Sequence, residues 1–216
     1  MRNLILVLCL LVGAPPAFAG DVYANFEDLS QHAVEGVDYN VQSLDRSSKY
    51  TVLAIHGGAI EPGSEFVAAE IAGSDLNLYQ FVAAPKDHSR DLHLTSTHFD
   101  EPRALVLVTK SEECVSVHGF LELEKDVVCV GGGDSVLRKK IVGALNRLNL
   151  NLVAEEPCVR FGGAAPQNIV NRCKMPGVQL EISTHLRKSH PEWFPKIAAA
   201  IRSVFPPREN GPEIKK

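Results

Sequence analysis

Several things are scarce in this chain, and each scarcity removes a class of protein. Aromatic residues are 6% of the sequence, with a single tryptophan, and no aromatic-rich motif offers a platform for stacked bases. Lys and Arg number 22 against 26 Asp and Glu, a net charge of −4. With no basic stripe, broad electrostatic attraction to nucleic acid is excluded. No apolar run reaches the roughly 20 residues of a membrane-spanning helix, and no internal repeat marks a solenoid. The five cysteines include no Cys-x-x-Cys pair, so a structural zinc site has little support. What is left is 216 residues, 45% hydrophobic and 22% charged, the profile of one globular domain with a sizeable core.

The two ends are set apart. Arg2, the apolar stretch 4–12 and the small-residue triplet Ala17-Phe18-Ala19 read as a signal peptide over residues 1–19, cut after Ala19. Pro15 and Pro16 interrupt the apolar run too early for an anchor, so the expected destination is the periplasm or the medium, with no stable membrane anchor after cleavage. Cleavage removes Cys9 and leaves Cys114, Cys129, Cys158 and Cys173. An even number in an exported chain favours disulfides, and Cys158 with Cys173, flanking one loop, is the preferred pair. Residues 206–216 read as a flexible tail. The domain proper is 20–205.

Within it, apolar runs alternate with helical patterns. Residues 20–49 are polar and turn-rich, with a short helix capped by Asn25. Residues 50–55 form a strand with little alternation, hence covered on both faces. Residues 63–73 form a helix with Ser64 as cap and Phe66, Val67 and Ile71 on its apolar face. Strands are expected at 76–83 (half-buried), 92–96, 104–108, 114–117, 126–130, 150–154 and 177–183. Asp134 caps a helix to about 148 with Val136, Ile141, Leu145 and Leu148 at helical spacing, and a last helix runs from His190 to Val204. This order predicts an α/β fold: one three-layer domain around a central mixed sheet.

His56 and His118 each end an apolar strand and precede glycine, and in such sheets sites lie where strands end. His56, with Gly57 and Gly58 behind it, and Glu61 lie close in sequence, and His118 adds a third donor. His-Glu-His is the ligand set of a catalytic zinc, which leaves a fourth position open. The glycines read as places where a metal or substrate approaches the backbone. Singly, each has a plainer reading: a turn histidine, a solvated loop carboxylate, a satisfied core histidine. Glu181, between Leu180 and Ile182, fits a base for the attacking water. Its plainer reading is the polar face of a half-exposed strand, because Gln179, Glu181 and Ser183 alternate.

Five blocks carry a resemblance: His56-Gly-Gly-Ala-Ile-Glu61-Pro-Gly-Ser-Glu65, Leu92-His-Leu-Thr-Ser-Thr-His-Phe-Asp-Glu-Pro102, Val117-His118-Gly119, Asn168-Ile-Val-Asn-Arg172 and Gly177-Val-Gln-Leu-Glu181-Ile-Ser183. In this order the chain resembles the phage-type poly-γ-glutamate hydrolase family over roughly Phe26 to Arg187. The resemblance implies a zinc carboxypeptidase-like fold and a Zn2+-dependent hydrolase of γ-glutamyl amide bonds. His56, Glu61 and His118 would hold the metal, and Glu181 would be the general base. Asn168, Asn171 and Arg172 would grip substrate carboxylates, as guanidinium does bidentately, with Arg187 a second candidate. His93, His98 and Asp100 fall in a family block without an assigned step. Ser64 stands where the family commonly has threonine, and residues 155–160 match no family motif.

The expected partner is therefore a γ-linked glutamyl polymer or peptide, and not nucleic acid. An acidic chain has no long-range attraction for a polyanion, so binding would rest on local arginines and weaken with salt. Two other readings fit the sequence: a zinc carboxypeptidase or amidase acting on γ-linked cell-wall peptides, and a non-catalytic exported binding protein with the same fold. Oligomeric state has no signature.

Overall fold

The computed structural model describes residues 20–205; the expected signal peptide and tail lie outside them. A seven-stranded mixed sheet runs through the centre in the order β1-β3-β2-β4-β7-β5-β6. Its strands are β1 (Tyr39–Leu44), β2 (Tyr50–Gly58), β3 (Asn77–Ala83), β4 (Glu113–Phe120), β5 (Val127–Gly132), β6 (Val153–Glu155) and β7 (Val178–Ser183). The central neighbours β3, β2, β4 and β7 are parallel; β1 and β5 run antiparallel to β3 and β7, and β6 follows β5 in parallel.

The lack of alternation in β2 has the expected cause: both faces are covered. Val52 and Ala54 pack with α2 (Ser64–Ala72), α4 (Ser135–Leu145) and α6 (Phe194–Arg202). Leu53 and Ile55 pack with α1 (Phe26–His32), α3 (Pro102–Lys110) and the loop residues Leu94 and Phe99. The result is three layers. α2 connects β2 to β3 on one face, whereas α3 returns the chain to β4 on the other, so β2 and β4 part at a topological switch point. That is where open α/β sheets place their ligands.

Several local expectations change. Residues 104–108 lie in α3, because Glu101 caps it by accepting from Ala104 N and Pro102 stands in its first turn. Five apolar residues in a row do not distinguish helix from strand; the cap and proline do. Residues 92–96 are not a strand: a 3-10 turn, Ser89–Leu92, leads into an extended loop. β1 arises inside the stretch read as turn-rich, and β3 is buried rather than half-buried. Phe66 and Val136 face solvent. The N-cap of α2 is Gly63, whose φ of 97° no other residue adopts readily, and Ser64, the expected cap, is buried inside the first turn. α4 ends at Leu145, the expected last helix is a 3-10 turn Pro191–Trp193 followed by α6, and a helix not expected from the sequence, α5 (Thr184–Ser189), precedes them.

The preferred disulfide Cys158–Cys173 is not formed. Cys114 pairs with Cys173 and Cys129 with Cys158, with Cα separations of 6.1 and 5.0 Å. Cys158 N donates to Val130 O, which lays its segment on β5. Cys173 follows a 3-10 turn, Ile169–Arg172, packed in the layer over β4. Proximity along one loop was a poor guide because the loop spans two strands.

Candidate metal centre

Strand β2 pairs with β4 only as far as Leu53 opposite Ser116. Beyond that point the strands separate, and Glu61 enters the gap: Gly119 N donates to its Oε2 at 2.8 Å. Strict alternation would send His56 to the face of Val52 and Ala54. A break in the β2–β3 register between Ala54 and Gly57 re-aims it. Glu61 returns to the same point through a tight turn closed by Glu61 N to His56 O.

The glycines after His56 serve this turn in a way different from that expected. A Cβ on Gly58, at φ 67°, would lie 2.2 Å from Ala83 O, and one on Gly57 would lie 2.9 Å from Phe81 O. It is the backbone of β3 that comes close, rather than a ligand. Gly119 is different: a Cβ there would collide with the Arg187 guanidinium.

His56 Nδ1 lies 3.0 Å from Glu61 Oε1 and 3.1 Å from His118 Nδ1, and His118 Nδ1 lies 3.5 Å from Glu61 Oε2. Donor atoms held tetrahedrally at about 2.0–2.1 Å from zinc would be about 3.3 Å apart. The His56 tautomer follows from its other side, where Nε2 reaches Leu94 O at 2.8 Å. A carbonyl only accepts, so Nε2 carries the proton and Nδ1 turns a lone pair toward the carboxylate and the second imidazole. His118 is buried; its Nε2 has no hydrogen-bond partner, and its Nδ1 faces the same point. Two imidazole nitrogens and a carboxylate converging on one buried point fit a cation once His118 gives up its Nδ1 proton, and this donor set fits zinc.

Glu181 stands opposite His118 in the parallel register of β7 with β4, so the two side chains share a face. β7 is buried throughout, and Glu181 is 6% exposed. The half-exposed alternative for this strand is thus excluded. Burial, reinforced by the nearby Glu61 carboxylate, lifts the Glu181 pKa to about 7 against the pull of His118, the Gln179 amide and Arg187. Burial also acts on Glu61, but His56 and His118 outweigh it and hold this carboxyl far below the usual range. For His118, burial opposes protonation and the Glu61 hydrogen bond overcomes it, raising the pKa.

Gln179 Nε2 donates to Glu181 Oε1 at 2.8 Å, and Asn168 Nδ2 donates to Gln179 Oε1 at 2.7 Å. Asn168 thus reaches the cluster through Gln179, with its own Oδ1 taken by Val170 N. Asn171 is spent on backbone, accepting from Gly133 N and Gly177 N and donating to Gly163 O and Ala165 O. Arg172 Nε donates to Gln167 O on its own loop. Arg187, by contrast, lies against Gly119, anchored by Ile182 O, Pro62 O and Thr184 Oγ1. A guanidinium has five N–H groups, which leaves donors for a ligand.

Two further participants are not among the expected site residues. Leu94 contributes a backbone carbonyl. Asp21 accepts from His93 Nδ1 (2.9 Å), His98 Nδ1 (3.0 Å), Thr95 N (2.8 Å) and Thr95 Oγ1 (3.1 Å), clamping the loop that bears Leu94. The His93 ring lies 4.1 Å from that of His56, centroid to centroid. Burial, with His56 adding to it, depresses the His93 pKa to about 4.

Known proteins resemble the stretch of chain that carries this cluster. The family described as poly-gamma-glutamate hydrolase matches residues 23–200. Among curated proteins, UPF0714 protein YndL of Bacillus subtilis (strain 168) is 36% identical over 87% of this chain and 73% of its own. The SPbeta prophage-derived UPF0714 protein YoqZ of the same organism is 34% identical over 86% and 67%. Among solved structures, a bacteriophage poly-gamma-glutamate hydrolase superposes with a TM-score of 0.78 at 34% identity, covering 85% of this chain and 96% of that one. A zinc-free apo form of YndL gives 0.70 at 38% identity, over 78% and 83%. The fold is therefore the zinc carboxypeptidase-like one.

Proposed function

The chain belongs to the poly-γ-glutamate hydrolase family, and from that premise we propose that this hydrolase is zinc-dependent and cleaves γ-linked glutamyl amide bonds. The observation that carries the reading is the meeting of His56, Glu61 and His118 donors within 4.8 Å of one another, with Glu181 beside them on the neighbouring strand. These three residues would hold Zn2+. When bound, the ion polarises a scissile carbonyl and acidifies water.

The protein's own groups supply the rest. Glu181 takes a proton from the attacking water on a carboxylate oxygen and delivers it to the departing amide nitrogen. Gln179 fixes one oxygen of that carboxylate, and Asn168 fixes Gln179. Leu94 O and the Asp21 clamp keep His56 in its tautomer and orientation. Arg187, at the edge of the cluster, receives a glutamyl carboxylate as a fork. Arg172 and Asn171 serve the loop, and Arg172 meets substrate only where a polymer extends that far.

Two disulfides among the described residues support an oxidising destination, hence export. The reading is tested by assaying γ-linked oligoglutamate, a cell-wall-type γ-linked peptide and an α-linked glutamate peptide side by side. Cleavage of the first in preference to the others is expected. Preference for the cell-wall-type peptide would shift the assignment to an amidase of that material, and absence of hydrolysis by zinc-loaded protein would make this a binding protein.

A further inference from the structure

A second set of donors meets away from the first. Asp126, just before β5, receives His185 from α5 and His190 from the turn after it. His185 Nδ1 donates to Asp126 Oδ1 at 2.9 Å. His190 Nε2 stands 3.7 Å from Asp126 Oδ2. The Asp126 side chain is 8% exposed, while those of His185 and His190 are 29% and 32% exposed.

The tautomer of His190 gives this cluster its meaning. Its Nδ1 lies 3.1 Å from Glu192 Oε1; an ionised carboxylate only accepts, so Nδ1 carries the proton. In the neutral ring, Nε2 then presents a lone pair to the Asp126 oxygen, and two electron-pair donors face each other with a cation-sized gap between them. The ring is not free to turn away: it stacks on Trp193 at 4.1 Å with 11° between planes. A carboxylate orienting the far nitrogen of an imidazole is the usual support of a metal-ligating histidine. His185 joins the set by moving its proton from Nδ1 to Nε2.

We propose that Asp126, His185 and His190 form a second metal site, selective for a borderline divalent ion such as zinc. Two imidazoles and one carboxylate exclude magnesium and calcium, which want oxygen ligands. The partial exposure of both rings lets water complete the coordination. An ion here joins the start of β5 to both ends of α5, the helix that carries Arg187. The site does not depend on the catalytic reading.

The test is zinc stoichiometry on the whole chain, stripped with chelator, reloaded with Zn2+ and passed through gel filtration before elemental analysis. Two equivalents are expected for the wild type, one for His185→Ala/His190→Ala and one for His118→Ala. Retention of the wild-type zinc content by the His185→Ala/His190→Ala protein, whether one equivalent or two, overturns the proposal. Should that protein fail to fold by circular dichroism, the single variant His190→Gln on the partly exposed ring is read by the same criterion. The His118→Ala arm reports separately on the catalytic centre, so failure of either site is distinguishable.

Discussion

The two histidine–carboxylate clusters use the same donors and differ in how the chain delivers them. At His56, Glu61 and His118, two strand ends and a tight turn meet in a crevice, and both imidazoles are buried. At Asp126, His185 and His190, one strand start meets a short helix and a turn, and both imidazoles are about a third exposed. Only the first has an additional buried carboxylate, Glu181, on the adjacent strand. On the proposed readings either place would bind a metal, but a metal with a positioned base would be available only where parallel strands part. The comparison separates binding from catalysis within one molecule.

The sharpest way to break this distinction is Glu181→Gln. Turnover should fall by about 10³-fold, within the range for a positioned general base, while zinc content stays that of the wild type. A retained rate would leave the first cluster no more than a binding site. Next in size is Asp21→Ala, which releases the loop holding Leu94 against His56. Zinc affinity at the catalytic centre should weaken about 10- to 100-fold, as for other outer-shell supports, read by competition with a chelator. The second cluster should be unaffected.

The pH dependence follows from Glu181. Its folded pKa, about 7, lies above the ordinary 4.5, so folding favours the protonated acid. Its stabilising contribution is therefore full below about pH 4.5 and lost as the pH rises through 7. Metal-free wild type should lose stability over that window relative to metal-free Glu181→Gln, in urea titrations at each pH. A bound dication opposes this by favouring the carboxylate, so zinc should flatten the difference. An equal pH profile for the two metal-free proteins would show that Glu181 is not held in a low-dielectric site.

The smallest effect expected is at the two asparagines of one loop. Asn168→Ala removes the donor to Gln179 and should lower kcat by about 10-fold with little change in KM, as expected when a transition-state interaction is lost. Asn171→Ala removes only backbone bonds and should lower Tm while leaving kcat near wild type. Equal effects on kcat would mean that the loop acts as a unit.

Legibility in the sequence divides along the same lines. The helix caps Asn25 and Asp134 were readable because capping is a local hydrogen bond between near neighbours. Strands β2, β4 and β7 are legible as apolar runs; His56 and His118 stand at the ends of such runs, Glu181 stands inside one, and Glu61 follows the two glycines after His56. The structure does bring these four together. The contacts of Asp21 span 72 to 77 residues of sequence, and Leu94 acts through its backbone, so neither left a local pattern. Disulfide pairing failed for the same reason. α3 is marked in the sequence only by its cap and proline, Glu101-Pro102, because five consecutive apolar residues suit a strand as well as a helix.

The central claim is that hydrolysis depends on zinc held by His56, Glu61 and His118. It is tested most directly by stripping the protein with chelator and following amine release from γ-linked oligoglutamate. The account predicts loss of activity on stripping and recovery when zinc is returned to the wild type and to His185→Ala/His190→Ala, with no recovery in His118→Ala. Metal-free protein that hydrolyses γ-glutamyl bonds at the full rate would contradict it.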